Sequence, residues 1–222
     1  MKTLKYIVQI SFLKTMYANF KLLPLKTALK FPIIIGKKVK LDLHGKVVIE
    51  NPKIKMGMIS IGIGGSSDLR YFNPRNSYFG IENAGVLIFK GKAHFAVHSS
   101  LLVTGATMVI GSGFSCNNGT KISCACGIEI ADNCLIGTNV LIMDSDGHRI
   151  FENGALHPNK LKISIGNHVW LTSGVSVLKG TAIADEVVVA FGSTVTKNLT
   201  ESNTICAGTP AKIIKRGITW ER

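Results

Sequence analysis

The chain has 222 residues, of which 46% are hydrophobic and 18% charged, and a formal net charge of +13. That apolar content is enough for a core and argues against disorder, while no apolar run reaches the roughly 18 residues a membrane-spanning helix needs. The excess of 26 basic over 13 acidic residues points to anionic partners: nucleic acid, phosphate-bearing ligands or a membrane surface.

Residues 1–41 hold nine lysines and no acidic residue. Apolar residues recur at helical spacing through Ile7, Ile10, Leu13, Met16, Tyr17 and Phe20, and Pro24 and Pro32 end any helix that starts there. This predicts a basic amphipathic N-terminal segment. Two readings of it are open: a helix packed on its own domain with a solvated lysine face, or a helix lying on an anionic membrane surface. The stretch after Lys5 is too short, and too poor in small residues, for a secretion signal.

Aromatic residues make up only 7% of the chain against 23 glycines, so the expected core is Val, Ile and small residues. Residues 45–107 show loose repeats, with a loop expected from Gly64 to Gly80. Then the pattern tightens. Ile110, Cys116, Ile122 and Ile128 are six residues apart, a two-residue slip follows, and Ile130, Ile136 and Ile142 resume the series. From Ile165 the spacing is strict through Leu171, Val177, Ile183, Val189 and Val195. A helix of period 3.6 would drift out of phase with six, and a plain amphipathic strand would alternate every two residues. A repeat of six means short strand, turn, short strand: a parallel β-solenoid with three flat faces.

The rhythm breaks once. Ile142 and Ile165 are 23 residues apart, so a loop spanning 144–164 leaves the solenoid, with Asp144, Asp146 and His148 at its root. A histidine presented between a rigid coil and a loop suits general-base chemistry, because its pKa lies near working pH. Among the other histidines, His94, His98, His157 and His168 have no spacing that argues for a ligand set, and no metal is expected. The five cysteines form no CxxC pair and read as reduced, mostly buried thiols in a cytosolic protein. Nucleic acid is not expected as a partner, since the lysines are terminal and lack aromatic interleaving.

Repeats such as IGNHVW and IADEVV, with the segments IEIADNCLIGTNVLIMDSDGH (128–148), ISIGNHVWLTSGVSVLKG (163–180), GSTVTKN (192–198) and AGTPAKIIK (207–215), resemble the hexapeptide-repeat acyltransferases, in particular the galactoside/maltose and capsular-polysaccharide O-acetyltransferases. The match covers about residues 105–216. It implies an all-β fold: a left-handed parallel β-helix over 42–206, preceded by the N-terminal helical segment and followed by a C-terminal tail (207–222) with a short helix. Left-handedness comes from the resemblance alone, since crossovers are ordinarily right-handed.

The resemblance further implies a homotrimer with sites between neighbouring solenoids. There an acetyl group would pass from acetyl-CoA to a hydroxyl of a saccharide or lipid-linked saccharide in capsular or exopolysaccharide synthesis. The protein would be cytoplasmic, with membrane contact through residues 1–41 as an open reading. N-acetylation of an amino-sugar nucleotide and a non-catalytic scaffold are the alternatives. Aligning DGH places the family's catalytic histidine on His148, with Asp146 orienting it or touching the acceptor. GFSCNN places an oxyanion-binding asparagine on Asn117, with Asn118 competing. Ser173, Gly174, Thr196 and Lys197 fall along the CoA arm, and Lys212 and Lys215 stand where the family often carries arginines, keeping the charge without the bidentate geometry.

Overall fold

The computed structural model describes residues 6–65 and 76–222. Ile33–Ile35, Val39–Leu43 and Lys46–Ile49 are three consecutive strands that open three separate faces. The chain then revisits the faces in the same order until the first holds nine strands, the second seven and the third six. Strands on one face come from successive coils and pair in parallel, apart from the last pair.

The six-residue spacing becomes three ladders. Ile110, Ile130, Ile165 and Ile183 are register partners on the third face. Cys116, Ile136, Leu171, Val189 and Cys206 stack on the first, and Ile122, Ile142, Val177 and Val195 on the second. All of them point inward at 3% exposure or less, and each buried aliphatic side chain stabilises the fold by about 1.5–3 kcal/mol. The two-residue slip has a local cause. Ile128 and Ile130 lie on one strand and are both buried. The register partners Ile110 and Ile130 are 20 residues apart, whereas Ile165 and Ile183 are 18 apart.

The earlier coils depart from the expectation of a core made of Val, Ile and small residues. Phe79, Phe89, Phe95 and Phe114 are fully buried there, with ring centroids 6.4 Å apart for Phe89–Phe95 and 5.1 Å for Phe95–Phe114. Coils in this part are not 18 residues long, as the partners Phe89 and Ile110 show, so the sixfold pattern dissolves. Of the loop expected from Gly64 to Gly80, residues 66–75 lie outside the described residues. Gly80 itself is in the strand Ser77–Glu82, paired on both sides.

A helix, α1 (Phe12–Leu22), starts at Ser11, whose hydroxyl accepts from the Lys14 N–H, and is followed after Pro24 by the short α2 (Leu25–Ala28). The buried face of α1 is Thr15, Ala18, Asn19 and Leu22. Two of these are polar because they cover the edge of Ile33–Ile35, whose outer N–H and C=O groups have no earlier coil to pair with. The Asn19 amide donates to Ile33 O at 2.7 Å and accepts from Ile33 N at 3.2 Å, and Thr15 Oγ1 accepts from Ile35 N at 3.0 Å. The solenoid thus begins within the 1–41 segment. No helix among the described residues is long and apolar enough to cross a membrane.

The far end closes differently from expectation. Ala211–Arg216 is a strand, not a short helix, and folds back antiparallel on Thr204–Gly208. The last strand of the first face would otherwise expose an unpaired edge, and this pairing satisfies it.

Because Asn19 is fully buried, Asn19→Ala orphans the Ile33 N–H and C=O at a cost of about 1–3 kcal/mol per group. Thermal unfolding followed by circular dichroism is expected to show Tm lowered by roughly 4 °C or more. Phe12→Ala, at a side chain 70% exposed, is expected to leave Tm unchanged.

Candidate active site

Turns between strands gather at three corners. The first corner, between the first and second faces, includes residues 117–120, 137–140, 172–175 and 190–193. The second, between the second and third faces, includes 125–127, 144–162, 179–181 and 196–198. Side chains that could act on a substrate lie on these edges, because the interior of each coil is filled.

Asp144 sits where the chain leaves the second face. It is fully buried, and its carboxylate accepts from three consecutive amides of the coil beneath: Ala125 N at 2.7 Å, Cys126 N at 2.8 Å and Gly127 N at 2.7 Å. Such charge-assisted bonds are roughly twice as strong as neutral ones. Asp144 is thus a structural clamp at the corner. Above it the excursion rises as a paired stem: Leu161 N donates to Asp144 O, Ser145 bridges Lys160, and Asp146 N donates to Asn159 O at 2.8 Å. The Asp146 carboxylate meets Lys179 Nζ at 3.1 Å, with only 15% of the lysine side chain exposed. Asp146 is therefore tied to the next coil's corner. Lys179 was not among the residues expected from sequence, although it lies within the VSVLKG repeat.

Beyond the stem His148 is exposed. The excursion then forms a hairpin, with Ile150–Glu152 antiparallel to Ala155–His157. Its turn is Asn153-Gly154, at φ 50° and 80°, the left-handed pair that a tight two-residue hairpin requires. That dipeptide was a legible hairpin signal. Ile150, Phe151 and Leu156 on the hairpin are more than half exposed.

Asn117, Ser173 and Gly174 lie at the first corner. Of the two asparagines, Asn118 is 5% exposed with an unpaired Oδ1, while Asn117 is half-buried at the rim. Ser173 Oγ accepts from Thr138 N at 3.3 Å, and Gly174, at φ 73°, donates its N–H to Thr138 O at 2.8 Å. Phe191 projects from the same corner at 80% exposure. Thr196 and Lys197 are exposed at the second corner, and Lys212 and Lys215 are exposed on the terminal strand of the first face. The expected residues thus form separate groups. Asn117, Ser173 and Gly174 are divided from His148, Thr196 and Lys197 by the width of the second face, about 10–15 Å of strand.

The C-terminal tail forms a contact that sequence reading missed. Trp220 stacks on His168 at 4.0 Å and donates Nε1–H to its carbonyl at 3.0 Å, with Trp170 alongside at 5.6 Å. His168 is held by Glu186 at 2.7 Å, and Arg222 reaches Ser115 Oγ at 2.7 Å. On the same face His94 Nδ1 meets Ser60 Oγ at 2.7 Å, and burial, then Lys92 and Arg222, lower its pKa.

Burial pushes the Cys116 and Cys124 thiols up to about 12 and Cys134 to about 11, which makes them poor nucleophiles. Among the described residues no three His, Cys, Asp or Glu side chains are grouped to hold a metal ion.

No family model matches the chain. A polysialic acid O-acetyltransferase of Escherichia coli O1:K1 is 36% identical over 132 residues, covering 57% of this chain and 40% of that one. The galactoside O-acetyltransferase of Escherichia coli K12 is 33% identical over 114 residues, covering 50% of this chain and 55% of its own. The chain therefore spans about half the length of these two relatives. An uncharacterised 24.8 kDa protein in the cps region of Klebsiella pneumoniae is 30% identical over 203 residues, 91% of this chain and 87% of that protein. Among solved structures, the polySia-specific acetyltransferase NeuO aligns with a TM-score of 0.55 at 26% identity, covering 83% of this chain and 89% of its own. With the three-faced coil, the ladders of inward aliphatics and these relatives together, the chain belongs to the hexapeptide-repeat, left-handed β-helix acyltransferase family.

Proposed function

We propose that the protein is an O-acetyltransferase that moves an acetyl group from acetyl-CoA to a sugar hydroxyl of a saccharide or lipid-linked saccharide in capsular or exopolysaccharide synthesis. It works as a cytoplasmic homotrimer with sites between neighbouring chains. The observation that carries this reading is the excursion at the second corner, where Asp144 clamps the exit and His148 stands exposed above a paired stem. The relatives named as O-acetyltransferases of polysialic acid and galactosides support the reaction class and a saccharide acceptor.

His148 is the general base. An acceptor hydroxyl attacks the thioester carbonyl as its proton passes to the imidazole, forming a tetrahedral oxyanion. Collapse of that intermediate breaks the C–S bond, and the proton returns from the imidazolium to the departing thiolate of CoA. The Asn117 side-chain amide donates to the oxyanion. Asp146, held by Lys179, braces the stem that carries His148. The first corner suits the pantetheine arm because Ser173 and Gly174 leave a low floor there, and a β-carbon placed on Gly174 would meet only Gly192, at 3.6 Å. Thr196 and Lys197, at the second corner of the neighbouring chain, face that groove across the contact, and Lys212 and Lys215 pair with phosphates.

Two corners on opposite edges of one face can meet only across two chains. In this reading the second corner of one chain, carrying His148, lies against the first corner of the next, carrying Asn117 and Ser173. The apolar side chains exposed at both, Phe151 and Leu156 on the hairpin and Phe191 at the first corner, fit such a contact.

Light scattering is expected to give three times the 23.9 kDa chain mass, and a stable monomer at micromolar concentration would sink the interfacial site. CoA release measured over a panel of saccharides tests the chemistry. His148→Ala is expected to lower kcat by about 10²–10⁴ while Tm and mass are kept, and His157→Ala to retain most turnover. Near-native kcat for His148→Ala would remove the assignment. Asp144→Ala should behave in the opposite way. It leaves three amides unpaired, one buried and two partly buried, so a loss of about 3 kcal/mol or more in unfolding free energy is expected, and an unchanged denaturant midpoint would contradict the clamp.

A further inference from the structure

The N-terminal helix is amphipathic in an inverted sense. Its buried side is Thr15, Ala18, Asn19 and Leu22, chosen to bond the bare edge of the first coil. Its outward side is Phe12, Leu13, Met16, Tyr17 and Phe20, between 39% and 72% exposed. Residues spaced by three and four along a helix lie side by side, so these five form one continuous apolar stripe. Leu25 and Leu29 extend it at 66% and 61% exposure. Beyond them, Phe31 packs edge-on against Phe20, and its carbonyl accepts from Gly57, in the loop where Met56 is 73% exposed. A contiguous outward apolar surface of this kind marks an interaction site.

Cations border the stripe. Lys21, Lys26 and Lys30 are exposed next to Phe20, Leu25 and Leu29 in sequence, and Lys53 and Lys55 are exposed just before Met56. No acidic residue occurs before Asp42. Lys14 is the exception, since its ammonium is spent on Lys37 O and Val39 O of the solenoid at 2.9 and 2.6 Å. An apolar centre with a lysine rim has two demands, a place to bury side chains and a negative charge around it. Two copies of the patch face to face would satisfy the first and set lysine against lysine. Nucleic acid would satisfy the second and leave the stripe in water.

We propose that this surface docks on an anionic lipid bilayer, with α1 lying in the interface plane, its stripe among the acyl chain ends and its lysines at the headgroups. Thr15 and Asn19 fix the helix to the first coil, so docking orients the whole solenoid, end-on, against the membrane. The proposal does not depend on the acetyl-transfer reading, and its test measures no turnover.

The full chain is sedimented with vesicles of phosphatidylcholine alone and of phosphatidylcholine with about a third phosphatidylglycerol, the anionic component. Binding is expected only to the anionic vesicles, and to weaken as salt approaches about 1 M, where the screening length falls to about 3 Å. Leu13→Ser with Tyr17→Ser removes apolar contact, and Lys21→Glu with Lys26→Glu reverses charge. Each pair is expected to lower partitioning about tenfold or more with Tm and mass unchanged. No binding to anionic vesicles, equal binding to neutral ones, or unchanged partitioning by both folded variants would overturn the proposal. So would a Leu13/Tyr17 variant that loses oligomer mass and keeps vesicle binding, which would assign the stripe to a subunit contact.

Discussion

The solenoid's strands pair with the equivalent strands of neighbouring coils, and this stacking in register is the constraint on which the rest depends. Backbone hydrogen bonds run along the solenoid, so an inward side chain always lands on its counterpart in the neighbouring coils. Ile110, Ile130, Ile165 and Ile183 make such a column on one face. The interior is filled, the faces are flat, and only corners and ends are free to vary. The chemistry-bearing residues are distributed accordingly.

At the second corner the chain leaves the solenoid for the 19 residues between Met143 and Ile163 without disturbing the coils on either side, because the point of departure is clamped. Asp144 is inside the protein as a carboxylate only because three backbone amides from one corner converge on it. A buried charge without such partners would be strongly destabilising. The same three amides lie just before the strand Ile128–Ile130, where the register between coils lengthens by two residues. The stem and hairpin above Asp144 carry His148 away from the coil, toward whatever lies beyond the chain's own surface.

The ends are the other consequence of stacking. A solenoid has two exposed terminal coils, with unpaired N–H and C=O groups along their edge strands, and on the first face the protein closes them by different means. At the start, Asn19 and Thr15 of a helix supply side-chain partners, so the polar residues of α1 face inward and its apolar residues outward. At the finish, the chain doubles back as a strand. Meeting the backbone's demand at the first coil is what leaves an apolar stripe on the surface.

The spacing of aliphatic residues was sufficient to determine the solenoid, its three faces, most of its inward ladder and the position of the excursion. Each of these follows from a period counted along the chain. His148 at the root of the excursion was legible for the same reason, whereas Asn117 and Ser173 were picked out by the resemblance alone. Tertiary structure decided the rest. The AKIIKR segment can be helix or strand by its local preferences, and only the open edge of Thr204–Gly208 makes it a strand. The helical spacing of residues 7–20 predicts amphipathicity, but which side is buried depended on hydrogen-bond partners 14 to 20 residues away in Ile33–Ile35. The pairing of Asp146 with Lys179 links residues 33 apart in sequence that meet only because successive coils stack. Periodicity reports what repeats along the chain; the clamp, the caps and the corners that divide the site depend on contacts between coils, which a one-dimensional pattern does not contain.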